Sequence, residues 1–242
     1  MLEHLLNPNI TAIPIKGVPG AGKTTLALEL LCMHGKGIHV STRVSEEKLT
    51  QQYPHIKELI ERGKLIGVTP EAKEGAKFED LRFGRATDIA KFLLQTVTKL
   101  KEPMIILDSW DAIAKELDVK ERLRVEKSLV GIAEANRAKL VFVSEEPHLT
   151  TTDYLVDAIV TLKDEELGGK RIRRIEWNKL RGLPIPQKSY LFTLYGGRFT
   201  MFRTVSASRP KEIRSKAFKP IKRTKTHYSL GSEDLDVIFG RM

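Results

Sequence analysis

The run Gly17-Val-Pro-Gly-Ala-Gly-Lys-Thr-Thr25 carries the residue types that bind phosphate, at the spacing GxxxxGK[ST]: Gly17, Gly22, Lys23 and Thr24. Glycines let backbone N–H groups turn inward around phosphate oxygens with no Cβ in the way. A helix starting beside Gly22 points its positive end at the same charge. In such a loop Gly17, Pro19, Gly20, Ala21, Gly22, Lys23, Thr24 and Thr25 form the cradle. Lys23 reaches the β- and γ-phosphates, and the Thr24 hydroxyl holds Mg²⁺. The flanks agree: residues 11–16 read as a strand, and Thr24 to about Met33 as an apolar helix. The expected ligand is ATP with Mg²⁺.

A second element brings a carboxylate. Met104-Ile-Ile-Leu-Asp108 is a continuous apolar run ending in an acid, the pattern of a central parallel strand buried on both faces. Ligands of parallel sheets bind outside the carboxyl ends of the strands, where the phosphate loop also begins. Asp108 alone reads as an acid that ends a strand. With the phosphate loop upstream it is expected on the Mg²⁺ side of the site, together with Thr24.

The elements that must position these residues alternate. Residues 38–44 read as a strand, and Ser45 as an N-cap with Glu46 and Glu47 in the first turn. One or two short helices over 45–62 break near Pro54. Residues 65–68 read as a strand, and 69–87 are less regular. Asp88 to Leu100 carries Ile89, Leu93, Val97 and Leu100 on one helical stripe. A charged helix over 119–137 precedes strands at 140–144 and 158–162. The pattern then changes to alternating strands at 170–179, 189–195 and 198–203, with Gly196-Gly197 as a hairpin signal. The first two-thirds therefore read as an α/β fold of βαβ units, and the last third as an antiparallel extension.

Composition sets the class. The chain has 242 residues, 41% of them hydrophobic and 30% charged, as in an ordinary soluble globule. No apolar run approaches the roughly 18 residues that span a bilayer. The first residues show no export pattern, and the single Cys32 sits in an apolar helix, so a cytoplasmic protein without membrane partners is expected. The net charge of +10 is concentrated. Between 206 and 228, Arg209, Lys211, Arg214, Lys216, Lys219, Lys222, Arg223 and Lys225 face only Glu212. With Pro210 and Pro220 this segment reads as an extended basic linker, either a solvated tether or a non-specific contact for nucleic acid phosphates. The expected organisation is a domain over 1–205, a linker over 206–228 and an amphipathic helix over 229–242.

The segment MIILDSWDAI resembles the second nucleotide motif of RecA-type ATPases, in particular their KaiC-like branch. LVFVSEE followed by DYLVDAIVTL is similar to the same branch. So is Arg173 to Gly182 with the Tyr-Gly-Gly hairpin after it, and STRVS at 41–45 resembles archaeal KaiC-like proteins and the nucleotide-binding domain of the gas-vesicle regulator. The likeness covers about residues 11–203. It implies a RecA-like, mostly parallel twisted sheet flanked by helices, with a C-terminal antiparallel β extension. It also implies a homo-oligomer, ring or filament, whose sites lie between subunits. Lys179 and Arg181 project from one strand face. By themselves they describe a basic edge strand. The resemblance implies that they reach a neighbour's γ-phosphate and stabilise transition-state charge.

The sequence departs from that branch in two places. KaiC-like ATPases end their second strand in two glutamates, one of which prepares the attacking water. Here Arg43 and Val44 occupy those positions. Glu46 and Glu47 come late, and Asp111 and Glu145 are the other candidates. Loss of a water-positioning base costs roughly 10²–10⁴ in rate, so tight ATP binding with slow hydrolysis is expected. Second, Gly231-Ser-Glu-Asp-Leu-Asp236 resembles a signature that the family carries ahead of its phosphate loop. The helix containing it either docks where the usual N-terminal one would or covers a local patch. The function expected is a nucleotide-dependent regulator or assembly switch. The alternatives are a DNA-handling recombinase or repair-type ATPase, marked by DNA-stimulated turnover, and a small-substrate P-loop kinase, whose arginine-bearing lid has a candidate only at 82–85.

Overall fold

The strands with the longest apolar runs take the centre of the sheet, because only there are both faces covered. In the computed structural model the described residues are 2–42, 44–68, 86–115, 117–146 and 151–202. They form strands β1 (Ala12–Gly17), β2 (Gly37–Ser41), β3 (Leu65–Val68), β4 (Met104–Asp108), β5 (Lys139–Ser144), β6 (Ala158–Leu167), β7 (Lys170–Leu180), β8 (Ser189–Thr193) and β9 (Thr200–Met201). The helices are α1 (Lys23–His34), α2 (Glu46–Gln52), α3 (Lys57–Glu61), α4 (Ala86–Val97), α5 (Trp110–Ile113) and α6 (Val119–Ala135). The segments expected as a basic linker over 206–228 and an amphipathic helix over 229–242, together with Arg43 and the 82–85 arginines, lie outside the described residues.

The sheet order is β3-β2-β4-β5-β1-β6-β7-β8-β9. β3 through β6 in that order are parallel, and β7, β8 and β9 add antiparallel. This is the α/β sheet with an antiparallel extension that the alternation of elements predicts. Period-two alternation divides the core into two layers. Ile13, Ile15, Ile106, Val141 and Val143 pack under α1. Ile38, Val40, Ile105, Leu107, Leu140 and Phe142 pack under α4, α5 and α6.

Helix α1 is apolar around most of its surface and is buried to match: Leu26, Ala27, Leu28, Leu30 and Leu31 are all fully covered. The N-terminal turn Leu2–Leu6 and the β8–β9 connection help to enclose it. Arg198 donates to both carboxylate oxygens of Glu29 on α1, at 2.8 and 2.6 Å. Among the described residues no helix is long and apolar enough to cross a membrane.

Strand β6 runs to Leu167, five residues beyond its apolar stretch. The extra length is a two-stranded ribbon with β7, closed by Gly168-Gly169, both at positive φ. Its cohesion is ionic rather than apolar. Lys163 pairs with Glu176 at 2.9 Å, Arg171 with Asp164 and Arg174 with Glu165. A solvated ribbon with charges on both faces leaves no hydrophobic period to read. Of the last strand, expected over 198–203, the described residues show Thr200–Met201, after a 3-10 turn at Tyr195–Gly197, and residue 203 lies outside them. The short helix α5 directly after Asp108 is a further element that the sequence pattern does not announce.

Candidate functional site

The phosphate loop leaves β1 at the carboxyl edge of the sheet. Gly17, Gly20 and Gly22 have φ of 148°, 78° and 100°, a region that glycine enters without strain. Two of them are also tight in space. A Cβ on Gly17 would meet the Leu162 carbonyl oxygen at 2.5 Å, and one on Gly22 would meet Leu194 Cδ1 at 2.8 Å. The loop is thus held close to β6 on one side and to the β8–β9 connection on the other. Lys23 is folded into it, its Nζ donating to the carbonyl oxygens of Gly17 at 2.7 Å and Val18 at 2.9 Å. Thr25 faces inward, its hydroxyl 3.2 Å from that of Tyr53.

Asp108 reaches this loop across one intervening strand. β4 pairs with β5 and β5 with β1, with Asp108 opposite Val143 and Val143 opposite Ile15. Two strand spacings amount to about 10 Å, too far for direct contact between strand residues. The first turn of α1 spans the gap: the Thr24 hydroxyl donates to Asp108 Oδ2 at 2.7 Å. The two residues proposed for the Mg²⁺ side, 84 positions apart in sequence, therefore touch. Thr42, just past the end of β2, fixes the base of this acid. Its N–H donates to the Asp108 carbonyl at 2.7 Å, and its hydroxyl accepts from Ser109 N–H at 3.2 Å. The Asp108–Ser109 peptide is cis.

Burial by itself pushes the Asp108 carboxyl up. His39 beside it, the Thr24 hydroxyl and the Lys23 charge outweigh that and hold it below the ordinary carboxylate value. A carboxyl held low when folded adds stability that is complete above the unfolded value and is lost as pH falls through the folded one. Asp108→Asn is therefore expected to lose less stability than the wild type on acidification from about pH 5 to about pH 3, read from denaturant midpoints.

Asp111 and Glu145, candidates for the water-activating base, lie in a bracing network beside the site. Asp111 Oδ2 accepts from the Ser144 hydroxyl at 2.9 Å and from Glu145 N–H, and Oδ1 accepts from Arg122 at 3.2 Å. Arg122 also donates to Glu126 Oε1 at 3.0 Å, and Trp110 Nε1 donates to the same oxygen at 2.7 Å. Asp111 thus spends both oxygens on tying α5 to α6 and to the end of β5. Ser45 caps α2 by accepting from Lys48 N–H at 3.4 Å, Glu47 is exposed, and Val44 packs against the α1 core. This geometry explains the late acids of the second strand as residues of a helix start.

Lys179 and Arg181 lie on β7 below the level of the phosphate loop. Leu180 pairs with Ala158, the first residue of β6, whereas Gly17 pairs with Leu162. Four rungs of about 3.3 Å separate the two levels. The structure does not bring this pair to the chain's own phosphate loop. Lys179 Nζ donates to the Asp153 carbonyl at 2.9 Å, and Arg181 to Asp157 Oδ1 at 3.0 Å. Asp153 also pairs with Lys16 at 2.7 Å, in a fully buried ion pair one residue ahead of the loop. Neither His39 nor this Lys16–Asp153 pair was marked by motif spacing. A charged or imidazole residue inside an otherwise apolar strand is the signal that could have found them.

The model of one protein family, described as GvpD gas vesicle protein, P-loop domain, matches residues 7–178. Among curated proteins, Protein GvpD2 of Halobacterium salinarum is 28% identical over 240 residues, covering 93% of this chain and 48% of its own length. Protein GvpD1 of the same organism is 26% identical over 236 residues, covering 93% of this chain and 44% of its own. The chain thus spans about half the length of the curated relatives it matches. Among solved structures, a KaiC-like protein from the hyperthermophilic archaeon Pyrococcus horikoshii OT3 superposes with a TM-score of 0.64 at 16% identity, covering 80% of this chain and 89% of that one. That likeness is one of fold.

Proposed function

The chain belongs to the GvpD gas vesicle protein P-loop domain family, with a KaiC-like fold, and on that premise we propose that it binds MgATP, hydrolyses it slowly at a subunit interface and acts as a nucleotide-dependent regulator. The observation that carries this reading is the 2.7 Å contact between Thr24 and Asp108, which joins the phosphate loop to the buried acid. A hydroxyl and a carboxylate are hard oxygen donors of the kind Mg²⁺ takes. The glycine cradle, which a Cβ at Gly17 would fill, suits a phosphate. Gly17 to Thr25 would hold the phosphates, and Thr24 and Asp108 the metal. A cation held there would supply neutralisation of the phosphate charge. Lys23 orients the terminal phosphate, and α1 directs its N-terminal N–H groups at it. A cleft of about 460 Å³ between Val18 and the upper part of β6–β7, with Thr161, Glu176 and Asn178 on its wall, has room for the nucleoside.

Slow turnover is supported by the acids around the site. Asp111 is engaged as a brace, and Val44 stands where the branch carries a glutamate. A shared site is supported by Lys179 and Arg181, whose side chains engage Asp153 and Asp157 and not their own loop. Arg181's exposed pairing with Asp157 is weak enough to exchange for a neighbour's phosphate. The protein's regulatory setting is that of gas vesicles, and the basic residues of 206–228 contact nucleic acid phosphates.

Complementation tests the shared site. Lys23→Ala and the double variant Lys179→Ala/Arg181→Ala are each expected to release no phosphate from ATP above background. Mixed in equal amounts they should recover about a quarter of the wild-type rate, because random assembly pairs an intact loop with an intact neighbour at that frequency. Co-assembly without recovery, or a wild type that stays monomeric with MgATP, would count against the interface.

A further inference from the structure

His39 lies on β2, on the sheet face that carries α1. It is two residues before Ser41, the partner of Asp108 in the β2–β4 register. Its neighbours Ile38 and Val40 are fully buried in the opposite layer. The His39 side chain is itself only 2% exposed, and Nε2 has no hydrogen-bond partner among the described residues. Burying an unpaired polar atom costs free energy that an aliphatic side chain at the same position would not incur. Apolar packing alone therefore does not account for an imidazole here.

The orphaned nitrogen is aimed at the site. Nε2 stands 3.8 Å from Asp108 Oδ2, the oxygen that accepts from Thr24. A closure of about 0.8 Å would bring it within hydrogen-bond range. No hydrogen bond from the described residues reaches Asp108 Oδ1. Thr24 donates to Oδ2 and His39 Nε2 stands nearest the same oxygen, so a cation would find Oδ1 the less engaged of the two. Metal-side carboxylates are commonly oriented by outer partners of this kind, whose removal costs about 10–100-fold in metal affinity.

Resting on the reading of Thr24 and Asp108 as the Mg²⁺ side of the site, we infer that His39 is a positioning residue for the metal, its Nε2–H holding Asp108 in the orientation that binds the cation. The residue touches neither nucleotide nor metal and acts through Asp108. The role is absent from the phosphate-loop motif, and it comes from β2, the strand whose expected glutamates are missing.

The test uses the full chain, a non-hydrolysable ATP analogue and Mn²⁺ in place of Mg²⁺, with free Mn²⁺ read by electron paramagnetic resonance. His39→Phe is expected to weaken Mn²⁺ binding to the nucleotide complex about 10–100-fold. Affinity for the analogue in EDTA should stay within about twofold of wild type, since the phosphate contacts are untouched. His39→Gln, which keeps an N–H donor at similar reach, should restore most of the metal affinity. Unchanged Mn²⁺ binding in His39→Phe overturns the inference, and so does an equal loss of metal-free nucleotide affinity, which would mark a packing role. If wild type itself binds no Mn²⁺ with the analogue, it is the assignment of Thr24 and Asp108 that fails. Should His39→Phe not fold, the ring ¹⁵N resonance of His39 in the wild-type nucleotide complex decides: it must move when Mg²⁺ is added, and a fixed resonance overturns the proposal.

Discussion

Lys23→Ala is expected to weaken ATP binding by about 10²–10⁴-fold while leaving the fold intact. Lys23 is 7% exposed, and its ammonium donates to the Gly17 and Val18 carbonyls. Those bonds hold the charge where phosphate oxygens are to arrive. Hydrogen bonds to charged groups contribute about 1.5–3 kcal/mol each, and two contacts to the β- and γ-phosphates give that loss of affinity. The fold survives because the two carbonyls belong to a loop at the rim of the sheet, where water replaces the lost donor. Titration calorimetry with ATP and a thermal melt on the same sample check both halves. Lys23→Arg should not rescue binding, since a planar guanidinium does not fit a pocket shaped for a point charge. Wild-type affinity in Lys23→Ala would remove the loop from the site altogether.

Glu126→Ala is expected to produce the largest loss of stability, about 3–5 kcal/mol, as when one member of a buried ion pair is removed. Glu126 is fully buried on α6, and its Oε1 accepts from both Trp110 and Arg122. Alanine strands the buried indole N–H and leaves the Arg122 guanidinium with Asp111 and the longer pairing to Glu146. Against the 5–15 kcal/mol typical of a domain, such a loss lowers the denaturant midpoint steeply. Glu126→Gln keeps an acceptor for Trp110 and should cost less than half as much. The consequence reaches the site, because Trp110 begins the helix that follows Asp108. A Glu126→Ala protein that melts like wild type would show that α5 is held by apolar packing alone.

Much of the fold was legible because its central strands are unambiguous. Residues 104–108 and 140–144 are apolar without interruption, and only a strand covered on both faces tolerates that. The phosphate loop was legible because glycine, lysine and threonine at fixed offsets answer a local geometric demand. The β6–β7 ribbon was half-legible. Its inner part is apolar, and its outer part is stabilised by cross-strand charges that leave no period in either strand alone. Helix α5 and its brace were not legible, since Trp110, Asp111, Arg122, Glu126 and Ser144 become neighbours only when α6 folds back over the sheet.

By its own order of residues, the chain determined the phosphate cradle, the acid that closes β4, the alternation that builds a parallel sheet, and the clustering of positive charge beyond residue 205. Each depends on neighbours within a few positions, where backbone geometry and side-chain period act directly. Tertiary structure alone decided that Thr24 meets Asp108 across β5, that Asp111 is spent as a brace, that Lys179 and Arg181 engage Asp153 and Asp157, and that a buried imidazole lies beside the acid. Those relations depend on strand order and register, which are set by the burial of two whole apolar layers at once and which no local stretch of sequence encodes.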